Sequence, residues 1–247
     1  MIHGCYGQMG RAVKKAALHI EGFEIACGVD IKPVDEPLGF PVFKTLNECN
    51  ISADVALDFT IAGAVPMLLD WCRKNNLPLV LCTTGLTDET TALIQQVSEH
   101  IPIFQSANMS LGINLMLSLL ERASAILGEA GFDIEILEKH HNLKQDAPSG
   151  TAYMIADAMN KNGRYIYVTD RSQRKQTRPA NEIGISAVRG GSIAGEHNVI
   201  FAGEDEVIEI THTAYSRSVY AIGALKAAGF IVRQKPGLYT MRDLMNV

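Results

Sequence analysis

Residues 4 to 10 read GCYGQMG, with Gly4, Gly7 and Gly10 spaced three apart almost at the start of the chain. A strand feeding such a turn lets bare backbone approach a pyrophosphate, whose charge then sits at the N-terminus of the following helix. The turn therefore demands strand, turn and helix in that order, and an acidic residue about twenty positions on, where it can accept from a ribose hydroxyl. Asp30 stands there, just after the apolar run at 24–29. Glycines beside an unrelated surface Asp would explain the triplet alone, but not the triplet, the spacing and the strands behind it. Two features depart from the commonest fingerprint. Tyr6 replaces its second glycine, making the pattern G-x-x-G-x-x-G, and only Met1, Ile2 and His3 precede Gly4, short beside a usual strand of about five residues.

The next hundred residues support that reading. Residues 24–29, 54–59, 78–82 and 101–104 read as short buried strands, and 8–19, 62–75 and 88–100 carry apolar residues at helical spacing. Strand and helix alternating through short links indicate a parallel sheet covered on both faces. Pro66 falls in the first turn of its helix, where a missing N–H costs nothing. The pattern then changes. Residues 111–127 are apolar almost all round, which predicts a helix buried between layers or at a domain junction. A strand at 133–138, a polar run at 139–150 and a helix at 151–162 follow. After a charged loop at 170–181 come three alternating strands at 183–188, 198–202 and 207–213, then a helix at 218–233 and a tail at 237–247. Neighbouring strands in succession predict a mixed or antiparallel sheet. The expected class is α/β, a Rossmann-like parallel-sheet domain joined to an α+β domain with a mixed sheet.

Composition narrows the function. The chain carries 22 Lys and Arg against 27 Asp and Glu, a net charge of −5, with no basic cluster of the kind nucleic acid or an anionic membrane calls for. No apolar run approaches the roughly 20 residues that span a bilayer, and glycines from Gly4 onward interrupt any signal peptide. Cys5, Cys27, Cys49, Cys72 and Cys82 form no C-x-x-C pair and read as reduced, mostly buried side chains of a cytoplasmic protein.

A second signal lies at 138–152, EKHHNLKQDAPSGTA, which leaves a strand and opens a helix. His140 and His141 are adjacent, so in extended chain they face opposite sides. Lys144 adds a cation, Ser149 is placed to cap the helix, and the N–H groups around Gly150 and Thr151 offer a carboxylate seat. Any one of these residues fits a solvated loop with a routine cap. Imidazole, ammonium and an anion-binding helix end within a dozen residues indicate a site. No metal is expected, because His-His-x-x-Lys lacks the i, i+4 pair of zinc-binding helices and no carboxylate or thiol stands at ligand spacing.

Here the sequence resembles the 4-hydroxy-tetrahydrodipicolinate reductase (dihydrodipicolinate reductase) family over nearly the whole chain. E-x-H-H-x-x-K-x-D-A-P-S-G-T-A, from Glu138 to Ala152, is specific to that family. GCYGQMGR at 4–11, DFT at 58–60, TTG at 83–85, ANMSLGIN at 107–114, VRGGSIAGEH at 188–197, EITHTAYSR at 209–217 and GLYTMRDL at 237–244 agree in order. The resemblance implies a dinucleotide-binding domain of 1–109 and 217–247, and a substrate-binding and oligomerisation domain of 110–216 that builds a homotetramer through its sheet. It implies NADH- or NADPH-dependent reduction of a cyclic imine dicarboxylate, 4-hydroxy-tetrahydrodipicolinate, to tetrahydrodipicolinate on the route to diaminopimelate and lysine. His140 would donate or accept a proton and Lys144 would donate one. His141, Gly150 and Thr151, with Ser149 beside them, would bind substrate. The cofactor would meet Gly4, Cys5, Tyr6, Gly7, Gln8 and Met9, Asp30, Cys82, Thr83 and Thr84, and Ser106, Ala107, Asn108 and Met109. The family usually reads G-T-T-G where this chain has Cys82, so a side chain is expected to crowd the nicotinamide end.

Asp30 should accept from the ribose hydroxyls of NADH and repel the extra phosphate of NADPH. Ile31 follows it where relatives often carry a base, and Lys32 is the nearest cation. NADH is expected to be preferred and NADPH accepted. Two other readings fit a chain of this build: another small-substrate dehydrogenase, acting on aspartate or a sugar, and a non-catalytic nicotinamide-sensing regulator. The first would oxidise those substrates. The second would need no acid groups such as His140 and Lys144.

Overall fold

The computed structural model describes residues 1–32 and 37–246. They divide into two compact units, Met1–Leu111 with Arg217–Val247, and Gly112–Ser216. Among the described residues no helix is long and apolar enough to cross a membrane.

The first unit is built on β1 (Ile2–His3), β2 (Gly28–Val29), β3 (Val42–Phe43), β4 (Ala56–Asp58), β5 (Leu79–Leu81), β6 (Pro102–Gln105) and, from the far end of the chain, β12 (Gly237–Tyr239). They form one sheet in the order β12-β6-β5-β4-β1-β2-β3 with every pair parallel. The chain leaves β1 toward β2 on one side and returns to β4 on the other. That reversal makes the crevice at the carboxyl ends of β1 and β4 the place where such sheets bind ligands. Helices α1 (Gln8–Ala17) and α6 (Ser218–Ile231) share one apolar core, in which Val13, Ala16 and Ala17 meet Ala221, Ala224, Leu225 and Ala228. Helices α2 (Val65–Lys74) and α3 (Asp88–Ser98) share another with Leu68, Leu69, Ile94 and Val97. Strand 24–29 shortens to Gly28–Val29 because its neighbours β1 and β3 are themselves two residues long, and a ladder is no longer than its partners.

The second unit begins within α4 (Leu111–Leu127) and contains β7 (Asp133–His140), α5 (Gly150–Met159), β8 (Ile166–Val168), β9 (Glu182–Arg189), β10 (Gly195–Ala202) and β11 (Val207–Ala214). The sheet order is β11-β10-β7-β9-β8, antiparallel through β11, β10 and β7 and parallel through β7, β9 and β8, so it is mixed. Side chains alternate across a strand. On β7, Ile134, Ile136, Glu138 and His140 take the buried parity. Met116 and Leu120 of α4 and Ile155, Ala156 and Met159 of α5 pack on Ile134, Ile136, Ile183, Ile185, Val199 and Phe201. Toward the end of β7 the same face turns from aliphatic to polar.

The boundary between the units falls within helix α4, one of the two places expected for it, but the helix is not buried all round. Ile113, Met116 and Leu120 are buried, but Leu115, Leu119 and Ile126 on another side are 46%, 50% and 61% exposed. Apolar residues all round permit burial without supplying a partner for every face. The short helix α7 (Met241–Met245) closes the described chain with a capping box between Thr240 and Asp243.

Candidate active site

Each loop that the sequence assigns to a cofactor follows the carboxyl end of a strand in the parallel sheet, so all of them emerge at one edge. Gly4 donates to Val29 O (2.8 Å) and Gly7 to Gly4 O (3.1 Å), which folds the turn back on itself. A Cβ on Gly10 would stand 2.5 Å from Gly4 O and 2.7 Å from the Cys5 Cα, so only glycine lets α1 start this close to the turn. Gly7 is the N-cap of α1. No side chain caps that end and no acidic residue occupies its first turn, which suits a pyrophosphate. Asp30 is half-buried. Its Oδ2 accepts from the Tyr6 N–H (2.9 Å) and its Oδ1 from the Lys32 N–H (3.0 Å). A carboxylate has about four lone-pair sites, so acceptor capacity is left for ribose hydroxyls. Gln8 and Lys32 are exposed, Tyr6 and Met9 half-buried. Cys5 is buried, and burial, aided by the Asp30 charge, pushes its thiol up to about 11. Cys82 also turns to packing, against the core that includes Leu57, Val80 and Phe104. Burial, with Asp58 nearby, puts its thiol well above the usual range.

Beneath this edge lies a group that the sequence reading did not assign. Asp58, the last residue of β4, is fully buried. Its Oδ1 meets His3 Nδ1 (2.7 Å) and accepts from the Thr60 hydroxyl (2.8 Å), and its Oδ2 accepts from the Thr83 hydroxyl (2.5 Å). One carboxylate thus ties the end of β1 to the segments after β4 and β5. Thr84 and Gly85 continue outward from Thr83, both exposed. At the end of β6 the Ser106 hydroxyl donates to Asn108 O (2.8 Å), and Asn108 Oδ1 accepts from the Ser110 N–H (2.9 Å). Ala107 is exposed, and Asn108 and Met109 are buried.

In the second unit the polar end of the mixed sheet is organised around Glu138, which is also fully buried. Arg189 on β9 donates to both of its oxygens at 2.7 Å, His140 Nδ1 lies 2.6 Å from Oε2, and the Ser149 N–H donates to Oε1 (2.9 Å). Burial alone would raise this carboxyl. The hydrogen bonds from His140, Arg189 and Ser149 outweigh it and hold the group at about 2. His197, the β10 partner of Glu138 in register, packs edge-on against His140 with centroids 5.1 Å apart. Burial, reinforced by His140, lowers His197 to about 4, so it is neutral near pH 7.

Ser149 caps α5 as expected, accepting from the Ala152 N–H (3.1 Å), but its hydroxyl also meets His197 Nε2 (3.1 Å). It is committed to the interior. Exposed Gly150 and half-buried Thr151 form the outer face of the same helix end. His141, on the opposite parity from His140, has its Nδ1 buried without a hydrogen-bond partner among the described residues. Lys144 Nζ pairs with Asp146 at 2.8 Å.

A parallel sheet with a glycine turn at its switch point, followed by a mixed-sheet unit bearing acid and base groups, defines a two-unit oxidoreductase of the Rossmann type. Within that class the chain belongs to the dihydrodipicolinate reductase family: "Dihydrodipicolinate reductase, N-terminus" matches residues 1–109 and "Dihydrodipicolinate reductase, C-terminus" residues 112–245. The 4-hydroxy-tetrahydrodipicolinate reductase of Caldanaerobacter subterraneus subsp. tengcongensis is 53% identical over 99% of this chain and 97% of its own. That of Clostridium novyi is 47% identical over 99% and 97%. Among solved structures, dipicolinate-bound dihydrodipicolinate reductase from Paenisporosarcina sp. TG-14 superposes with a TM-score of 0.80 at 26% identity, covering 97% of this chain and 96% of that one.

Proposed function

We propose that this chain is an NAD(P)H-dependent oxidoreductase that reduces 4-hydroxy-tetrahydrodipicolinate to tetrahydrodipicolinate in diaminopimelate and lysine biosynthesis, and that it works in the cytoplasm. The reading is carried by the family match across both units, which includes the whole His140–Thr151 segment. When bound, the nicotinamide cofactor supplies the hydride. The chain's own residues do the rest. Gly150 and Thr151 at the N-terminus of α5 seat one carboxylate of the substrate, and Lys144 and His141 attract the anion. The 4-hydroxyl of the substrate leaves as water, and Lys144 and His140 are placed to hold the one proton that the ring takes up with the hydride, a role that typically contributes ~10²- to 10⁴-fold in rate. The glycine turn at 4–9, Asp30, 82–84 and 106–109 hold the cofactor.

NADH is the preferred cofactor and NADPH is accepted, with Asp30 opposing the extra phosphate and exposed Lys32 offsetting part of that repulsion. The assembly is a homotetramer. On the face of the mixed sheet turned away from α4 and α5, Leu137, Val188 and Ile200 stand among polar neighbours, a surface that suits burial against a second copy.

The direct test generates the imine from aspartate semialdehyde and pyruvate in a coupled assay and follows NADH absorbance. Turnover supports the reading, and folded protein that consumes no NADH overturns it. In that assay Lys144→Ala and His140→Ala each lower kcat at least about tenfold. Lys32→Ala lowers kcat/KM with NADPH more than with NADH, and Asp30→Ala narrows the gap. Equal or better kcat/KM with NADPH in the unmodified enzyme overturns the cofactor preference. Light scattering giving a monomer mass at micromolar concentration overturns the tetramer.

A further inference from the structure

We propose that Glu138 is a positioning residue for the reaction: its carboxylate, clamped by Arg189, keeps a proton on His140 Nδ1 and so leaves Nε2 as the ring atom that trades a proton with substrate. The inference rests on the role given to His140 above. Its geometric basis is independent of that role.

An ionised carboxylate only accepts hydrogen bonds. Four contacts occupy the two oxygens of Glu138: both Arg189 terminal nitrogens, the Ser149 N–H and His140 Nδ1. Three of these are donors by constitution. The fourth, His140 Nδ1, must therefore be a donor as well, which fixes the tautomer of the neutral ring. The guanidinium of Arg189 donates to Glu138 and to the carbonyls of Asp146 and Val188. It keeps the buried acid charged, and without a cation a buried carboxyl would take up a proton and could then donate.

The other groups facing the ring do not compete. His197 on β10 meets it edge-on and is neutral near pH 7, with its Nε2 engaged by the Ser149 hydroxyl. His212 on β11 pairs in register with His197, one strand further out. In the segment after β7, Lys144 is paired with Asp146. Glu138 is the anion in direct contact with the imidazole among the described residues.

A Glu–Arg bridge that merely fastened β7 to β9 would leave the ring free to choose its tautomer. The test separates the two roles. The full chain, labelled with 15N-histidine, is titrated from pH 5 to 9, and the His140 signals are assigned by their loss in His140→Gln. Neutral His140 is expected as the Nδ1–H tautomer. In Glu138→Gln, whose amide can either accept or donate, the tautomers mix. That variant's kcat falls about a hundredfold, while KM for the imine and Kd for NADH stay within about threefold. If Glu138→Gln fails to fold, the double change Glu138→Gln with Arg189→Gln removes both buried charges together, and the same spectrum and kinetics are read. Neutral His140 found as Nε2–H, or a kcat within twofold of the parent in a folded variant, overturns the proposal. An unmodified protein that shows Nδ1–H but reduces no imine upholds the geometry and overturns the functional reading instead.

Discussion

Among the described residues Asp58 and Glu138 are the two carboxylates with 0% exposure, one in each unit, and the chain satisfies them in opposite ways. Asp58 lies in a parallel sheet and is met by two threonine hydroxyls and one imidazole. Glu138 lies in a mixed sheet and is met by a bidentate guanidinium, an imidazole and a backbone N–H. The first set of partners consists of short side chains at or just past the ends of β1, β4 and β5, so it suits tying segments together. The second contains a charge that no accessible pH removes, so it suits keeping an acid ionised beside a ring that exchanges protons. Burial raises the same problem twice, and the partner chosen follows from what the neighbourhood must do.

The comparison breaks most sharply at Arg189. Arg189→Ala leaves Glu138 buried without its cation and should cost about 3 to 5 kcal/mol of folding stability. Urea unfolding at pH 7 reads it directly. A loss below about 1 kcal/mol would mean that solvent or another cation reaches Glu138.

Acid titration is the next largest effect. His197 is held at about 4, against an ordinary value of 6.5, so the unfolded ring takes a proton that the folded ring refuses. Stability should therefore fall as pH drops from 6.5 to 4, by about 3 kcal/mol at most. Glu138, held at about 2 against 4.5, contributes stability that is fully present above 4.5 and lost between there and 2. The two windows adjoin, with His197 acting first. His197→Asn should flatten the slope between pH 6.5 and 4 and leave the lower window in place. An unchanged slope in urea titrations at pH 6.5, 5.5 and 4.5 would show that other groups carry it.

Asp58→Asn is the mildest of the three. It preserves volume and one acceptor, so stability should drop by roughly 2 kcal/mol. NADH binding should weaken several-fold, because Thr83 loses the carboxylate that anchors it. Fluorescence titration with NADH checks this. Undisturbed affinity would confine Asp58 to a structural role.

Much of the architecture was legible because it is periodic. The strand–helix alternation of the first hundred residues and the two-residue alternation from 183 to 213 each correspond to a sheet of the expected kind. Val42–Phe43 and Ile166–Val168 escaped because two or three residues are too few to show a period. The exposed apolar stripe of α4 escaped because hydrophobicity shows that a face can be buried, never that something covers it. At the site, residue type and crowding drew attention to His140, His141 and Lys144. Arg189 stands 51 positions from Glu138 and Asp58 stands 55 from His3, and partners so distant leave no local pattern. One signal was available in the strand itself. Glu138 continues the parity of Ile134 and Ile136, and an acid on a core parity calls for a buried cation or strong donors.

The return of α6 and β12 to the first unit has a consequence for how the protein is made. Helix α1 leaves the ribosome early, yet Ala221, Ala224, Leu225 and Ala228, which share its core, are translated only after the whole second unit. The fit is close: a Cβ on Gly223 would lie 1.7 Å from Met109 O, so α6 seats directly on the backbone that ends the first segment. A nascent chain halted before residue 217 therefore carries Val13, Ala16 and Ala17 without their cover and lacks the β12 edge beside β6. The second unit is contiguous in sequence, whereas the core of the first stays adhesive and incomplete until residues from 217 onward have emerged.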